Sequence, residues 1–156
     1  MKNYKLLFFS FLVFGLFFSG CGKKNNDGPV KIHWDRDACQ RCGMLISDRR
    51  FAFEVVNPKN GKAYKFDDMG CGVTWLKENK IRWKKKAILW IINAKTGKWI
   101  NAKKALYTKG NITPMAYGLA GYTKNTIPKG KKVINFKEAL EHIKKINILE
   151  TEKENQ

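Results

Sequence analysis

The chain has 156 residues, which bounds it to one domain or two very small ones. It carries 31 Lys and Arg against 13 Asp and Glu, a formal net charge of +18. Such a balance points to anionic partners: nucleic acid inside a cell, or anionic lipid and acidic protein beyond the membrane. No Ser/His pairing or paired acids stand out as a hydrolytic site, so the reading is of a protein that is not an enzyme.

The first twenty residues decide between those partners. Lys2 and Lys5 precede an apolar run from Leu6 to Phe18, too short to span a bilayer comfortably. Phe18-Ser19-Gly20-Cys21 then reads as a bacterial lipobox, so residues 1–20 are expected to be a lipoprotein signal peptide and Cys21 the lipidated N-terminus. The expected location is extracytoplasmic, lipid-anchored to a bacterial membrane, where a Cys pair is able to oxidise. Removing residues 1–20 takes away two lysines and leaves +16. Nucleic acid is therefore not an expected partner. Residues 21–32, with Gly22-Lys-Lys-Asn-Asn-Asp-Gly-Pro-Val30, read as a flexible tether.

Residues 33–149 are expected to form the folded domain. Phe51 to Asn57 alternates as a strand, Pro58 to Gly61 is a turn with an Asn-Gly pair, and Lys62 to Phe66 returns as the second strand of a hairpin. Asp67 or Asp68 caps a helix reaching about Glu78, with Met69, Gly72, Val73 and Leu76 on one face and Cys71 and Trp75 on another. Ala87 to Ile92 is uniformly apolar and suits a central strand. The order so far is β-β-α-β.

A similar order is expected to recur. Trp99 to Lys109 is extended and basic, and Met115 to Tyr122 is glycine-interrupted strand sequence where backbone approaches backbone or a ligand. Asn135 opens a last helix, with Glu138 completing a capping box and Phe136, Ala139, Leu140, Ile143 and Ile146 facing inward. His142 falls at the margin of its polar side. The fold class expected is α+β: two related small ββαβ modules, roughly 33–93 and 94–149, packed into one domain. Residues 150–156 are expected to be a disordered tail.

The chemistry concentrates at Asp37-Ala-Cys-Gln-Arg-Cys-Gly-Met44, which packs Cys39, Cys42 and Met44 into six residues. Thiolate and thioether donors suit Cu(I), which accepts few ligands, so one Cys and two Met suffice. Cys42 and Met44 can converge from one turn, and Met115, after Pro114 and away from a helical core stripe, is a third ligand brought in by the fold. Cys39, Cys71, Met69 and His33 are auxiliary candidates, although the helix face of Met69 suits core packing. Rival readings are a zinc site from His33, Cys39, Cys42 and Cys71, a thioredoxin-like pair or a plain disulfide at Cys39 and Cys42. Asp67 and Asp68 read as helix-capping residues.

Three stretches in order resemble the NosL family, lipoproteins accessory to nitrous oxide reductase. Cys42-Gly43-Met44 is similar to its Cys-Gly-Met signature, Phe66-Asp-Asp-Met-Gly-Cys71 to its Phe-Asp-Asp-Ile-Gly-Cys pattern, and Thr113-Pro-Met-Ala-Tyr-Gly118 to its Pro-Met-Gly element. The resemblance implies a membrane-anchored chaperone holding one Cu(I) per chain at Cys42, Met44 and Met115. Its implied partners are a client copper enzyme (nitrous oxide reductase, in denitrification) or the copper-loading transporter complex. Cys39 as a second thiol and Ala116 in place of a common Gly depart from the pattern.

Overall fold

A computed structural model describes residues 28–154. The expected signal peptide, Cys21 and the expected tether up to residue 27 lie outside the described residues, as do residues 155 and 156. The last part of that tether is docked rather than loose, with Val30 N–H on Glu54 Oε1 at 3.0 Å and Ile32 buried in the core.

The expected hairpin pairs β1 (Phe53–Val56) antiparallel with β2 (Ala63–Phe66), Phe53 opposite Phe66 and Val56 opposite Ala63. Its turn is closed by Asn57 N–H on the Lys62 carbonyl (2.9 Å) and by Gly61 N–H on the Asn57 carbonyl (2.8 Å), and Gly61 takes φ +69. A left-handed residue at that point is cheap only for glycine. β3 (Ile88–Ile92) pairs with the other edge of β1, Val55 opposite Leu89, as its unbroken apolar run predicts for a central strand. β4 (Trp99–Asn101) folds back on β3, giving a four-stranded antiparallel sheet in the order β2-β1-β3-β4.

Between β2 and β3 lies α1 (Met69–Glu78). Asp68 is its N-cap, accepting the Gly70 N–H at 2.9 Å, as the sequence indicates. The helix packs tightly on the sheet. A Cβ on Gly72 would run into the Phe53 ring, so the glycine sets how closely α1 approaches β1.

A second antiparallel sheet, in the order β6-β5-β7, comprises β5 (Leu106–Thr108), β6 (Ala120–Tyr122) and β7 (Val133–Ile134). A parallel bridge between Asn93 and Gly121 joins it to the first, with Ala94 N–H donating to the Gly121 carbonyl at 3.0 Å. A Cβ on Gly121 would lie 3.0 Å from the Ile91 side chain, the close approach expected of the glycine-interrupted stretch. Only Ala120–Tyr122 of that stretch is strand; Met115 to Tyr117 is turn or irregular chain.

The last helix, α2 (Phe136–Glu154), begins with the reciprocal bonds of a capping box: Asn135 N–H to Glu138 Oε2 (2.8 Å) and Glu138 N–H to Asn135 Oδ1 (3.0 Å). Ala139 and Ile143 are buried and Phe136, Leu140 and Ile146 half-buried, as the spacing predicts.

The α+β class is as expected: two antiparallel sheets and two long helices. The strands are shared out differently from a simple repeat. The first half runs β-β-α-β, whereas β7 precedes α2 and no strand follows it among the described residues. β4, placed by sequence in the second module, belongs to the first sheet, because the tight turn between Asn93 N–H and the Lys98 carbonyl (2.8 Å) returns it onto β3. Residues 150–154 are helical rather than a loose tail. Strong helix formers (Glu150, Glu152, Lys153) extend α2 by a turn, and Thr151 bonds back to the Asn147 carbonyl at 2.9 Å.

Candidate metal centre

The sulfur-rich stretch is a small closed loop. Ala38 bridges Leu45, Cys39 N–H donates to the Met44 carbonyl (2.8 Å), and Gly43 N–H donates to the Cys39 carbonyl (2.9 Å). Gly43 sits at φ +76 with open space around it, so backbone conformation alone calls for glycine there. Gln40 N–H fastens the loop to the edge of β2 through the Lys65 carbonyl (2.9 Å). The Arg41 guanidinium closes a two-pronged ion pair on Glu78 at the end of α1, with contacts of 3.0–3.3 Å. Lys65 Nζ holds the base of the loop through Asp37 Oδ2 at 2.6 Å.

This loop lies over the first turn of α1, and there the side chains converge. The sulfurs of Cys39, Cys42 and Cys71 and a carboxylate oxygen of Asp67 all lie within 4.8 Å of one another. Cys39 (2 % exposed), Cys71 (0 %) and Asp67 (1 %) are buried, while Cys42 is half-buried and forms the open side. The three cysteines are free thiols, and Cys42 Sγ donates to Asp67 Oδ2 at 3.5 Å. The other oxygen, Asp67 Oδ1, is buried with no hydrogen-bond partner. A buried acceptor left without a donor is costly, and a proton or a cation would satisfy it.

The electrostatics follow from crowding acidic groups in a dry pocket. The thiol hydrogen bond from Cys71 pulls Cys39 down to about 4, and the same interaction, with burial, drives Cys71 upward. Burial, followed by the nearby Cys39, pushes Cys42 up to about 11. Burial and the Cys39 charge raise Asp67 to about 6. Crowding thus favours a single negative charge shared within the thiol cluster over several, and the partial positive charge of the α1 N-terminus favours that charge. A cation entering here would displace the remaining protons.

Of the residues expected from sequence, the structure gathers Cys42, Cys39 and Cys71. Met44 is 50 % exposed, its backbone closing the loop. Met115 is half-buried against the core, in the 113–118 segment that faces the start of α1: its N–H and the Thr113 side chain favour the charged form of Asp68, against a burial that raises the Asp68 pKa. Met69 is core, 1 % exposed. His33 stays outside the thiol cluster, exposed and paired with Asp37 at 3.6 Å. His142 is more than a surface residue; it is half-buried, with Nε2 3.0 Å from the Tyr117 carbonyl. Asp67 is the ligand candidate that capping logic hides. Asp68 does the capping, and Asp67 sits four residues before Cys71, a spacing that places both over one face of the helix start.

No family profile matches the chain, and no curated protein matches it. Among solved structures it is similar to the crystal structure of the copper chaperone NosL from Shewanella denitrificans, at 16 % identity and a TM-score of 0.56, over 70 % of this chain and 94 % of that one. The likeness expected from the three sequence motifs is therefore present in the fold.

Proposed function

We propose that the chain is a non-catalytic carrier of Cu(I), one ion per chain, held at the thiol cluster and handed on as cargo. The observation that carries this reading is the convergence of Cys39, Cys42, Cys71 and Asp67 within 4.8 Å, with Cys42 alone at the open side. Three thiols are a soft donor set, and Met44 and Met115 add thioethers at the exposed edge and in the segment facing the start of α1. The fold shared with a copper chaperone supports copper over other soft ions.

Transfer by ligand exchange suits this geometry. An incoming donor from a partner reaches the ion at the Cys42 and Met44 edge while Cys39 and Cys71, buried and fixed by the loop and α1, retain it until the new bonds form. No covalent step by the chain is needed. The NosL resemblance supports a client such as nitrous oxide reductase or its copper-loading transporter, and the lipobox supports attachment to a membrane through Cys21 and an extracytoplasmic location.

A second reading, zinc as a structural ion, is favoured by one feature: the buried, partnerless Asp67 Oδ1 beside three thiols makes a four-donor set. A thiol oxidoreductase at Cys39 and Cys42 is less well supported, since the low-pKa sulfur, Cys39, is the buried one.

Anaerobic titration of the reduced protein with Cu(I) and with Zn²⁺ separates these readings. Stoichiometric Cu(I), lost in Cys42→Ser and weakened in Met44→Leu and Met115→Leu, is the expected result. Tight Zn²⁺ that both Met changes leave intact, and that Cys42→Ser and Asp67→Asn each weaken, would replace the copper reading with the zinc one.

A further inference from the structure

On α1, Val73, Leu76 and Lys77 point between about a third and nearly half of a turn away from Cys71. With Leu89, Phe136 and Leu140 the two apolar residues floor a groove of about 400 Å³ between α1, β3 and α2. Its rim is cationic: Lys77, Lys84, Lys85 and Lys103 line it, and no carboxylate does. The basic surface continues from this rim. Lys80, Arg82, Lys86 and Lys104 are exposed beside it, on the segment that follows α1 and on the 3-10 turn of residues 102–104. That turn is held against the first by Lys103 Nζ, which donates to the Ala87 carbonyl at 2.7 Å. The four ion pairs among the described residues use His33, Arg41, Arg50 and Lys65, so none of these cations is neutralised by one.

We propose that this lysine-rimmed groove is the face by which the domain lies on an anionic lipid bilayer. Unneutralised lysines spread over several elements create a broad positive potential. Lysine predominates over arginine, and its ammonium is a mobile point charge without the planar fork that selects individual carboxylates. The groove floor offers no polar group to orient a peptide. A delocalised anionic surface with apolar chains beneath it matches both features better than a folded acidic protein does. Because Cys71 is on the opposite side of α1, the thiol cluster would face away from the bilayer. The proposal is independent of which metal that cluster binds.

The test is lysine acetylation of the full chain reconstituted in phosphatidylcholine vesicles with and without phosphatidylglycerol, read by mass spectrometry. Lys77, Lys84, Lys85 and Lys104 should react about tenfold more slowly on the anionic vesicles, recovering at high salt, while Lys109 and Lys132 keep their rates. Replacing those four lysines with Gln should abolish the remaining protection at Lys86 and Lys103. Removing the same charge by Lys109→Gln, Lys132→Gln, Lys137→Gln and Lys145→Gln should leave it intact. Equal rates on both vesicles, or equal slowing at Lys109 and Lys132, would overturn the proposal. So would protection by a soluble acidic peptide without protection by the anionic vesicles, which would assign the face to an acidic protein instead.

Discussion

The Tyr117 ring lies against Gly70, filling the space that a Cβ at Gly70 would need. Gly70 directly precedes Cys71 in the first turn of α1, and Tyr117 follows Met115 by two residues. One aromatic contact therefore seats the Pro-Met segment on the helix end that carries the thiol cluster.

Gly70→Ala should be disproportionately harmful. The added methyl has no free space, so Tyr117 must move, at a cost of roughly 1–3 kcal/mol for an overpacked site. Thermal unfolding should record the loss, and Cu(I) affinity should fall with it if the seating matters to the site. Undiminished stability would mean that the ring is free to shift.

Tyr117 is also tied down at its far end. Its hydroxyl donates to Asn147 Oδ1 at 2.7 Å, and Asn147 Nδ2 donates to Thr74 Oγ1 at 2.9 Å, linking the segment, α2 and α1. Tyr117→Phe keeps the ring on Gly70 and removes only this network. About 1 kcal/mol of destabilisation is expected, with metal stoichiometry unchanged; comparison with Gly70→Ala separates hydrogen bonding from steric seating.

Glu54 supplies a pH signature. It is fully buried on β1, accepts the Val30 N–H at 3.0 and 3.2 Å, and stands opposite Lys65. Burial raises it from 4.5 to about 7 despite those favourable partners. The folded state thus binds the proton more tightly than the unfolded one. Its contribution is fully present below about pH 4.5 and is lost as pH rises through 7, a swing on the order of 3 kcal/mol. Chemical denaturation across that window should show Glu54→Gln, which keeps an acceptor for Val30, losing less stability than the parent. Parallel curves for the two proteins would rule this out.

The Arg41–Glu78 ion pair connects the thiol loop to the end of α1. Both side chains are partly exposed, 25 % and 48 %, so the pair is worth at most about 1 kcal/mol. Glu78→Gln should leave the fold and its unfolding temperature nearly unchanged. Its effect should appear in Cu(I) affinity, up to about fivefold weaker as the loop loosens, measured by competition with a chromogenic chelator.

Much of this protein can be read locally. The Asn60-Gly61 turn, the Asp68 cap, the Asn135–Glu138 capping box and the apolar run of β3 each follow from a few neighbouring residues, because turns, caps and strand burial are short-range chemistry. Cys42-Gly43-Met44 is legible for the same reason: the whole loop closes within six residues. Only the tertiary structure decides what meets that loop. It sorts Cys71 and Asp67 into the thiol cluster, Met69 into the core and His33 onto Asp37, outcomes that depend on α1 docking beneath the loop. It also assigns β4 to the first sheet and places the lysine-rimmed groove behind the helix, since both arise from long-range packing that no local pattern encodes. The sequence by itself placed two thiols and a thioether in the stretch ending at Met44; the packing of α1 against it decided that three thiols and a carboxylate converge there, because only a folded chain can bring residue 71 to residues 39 and 42.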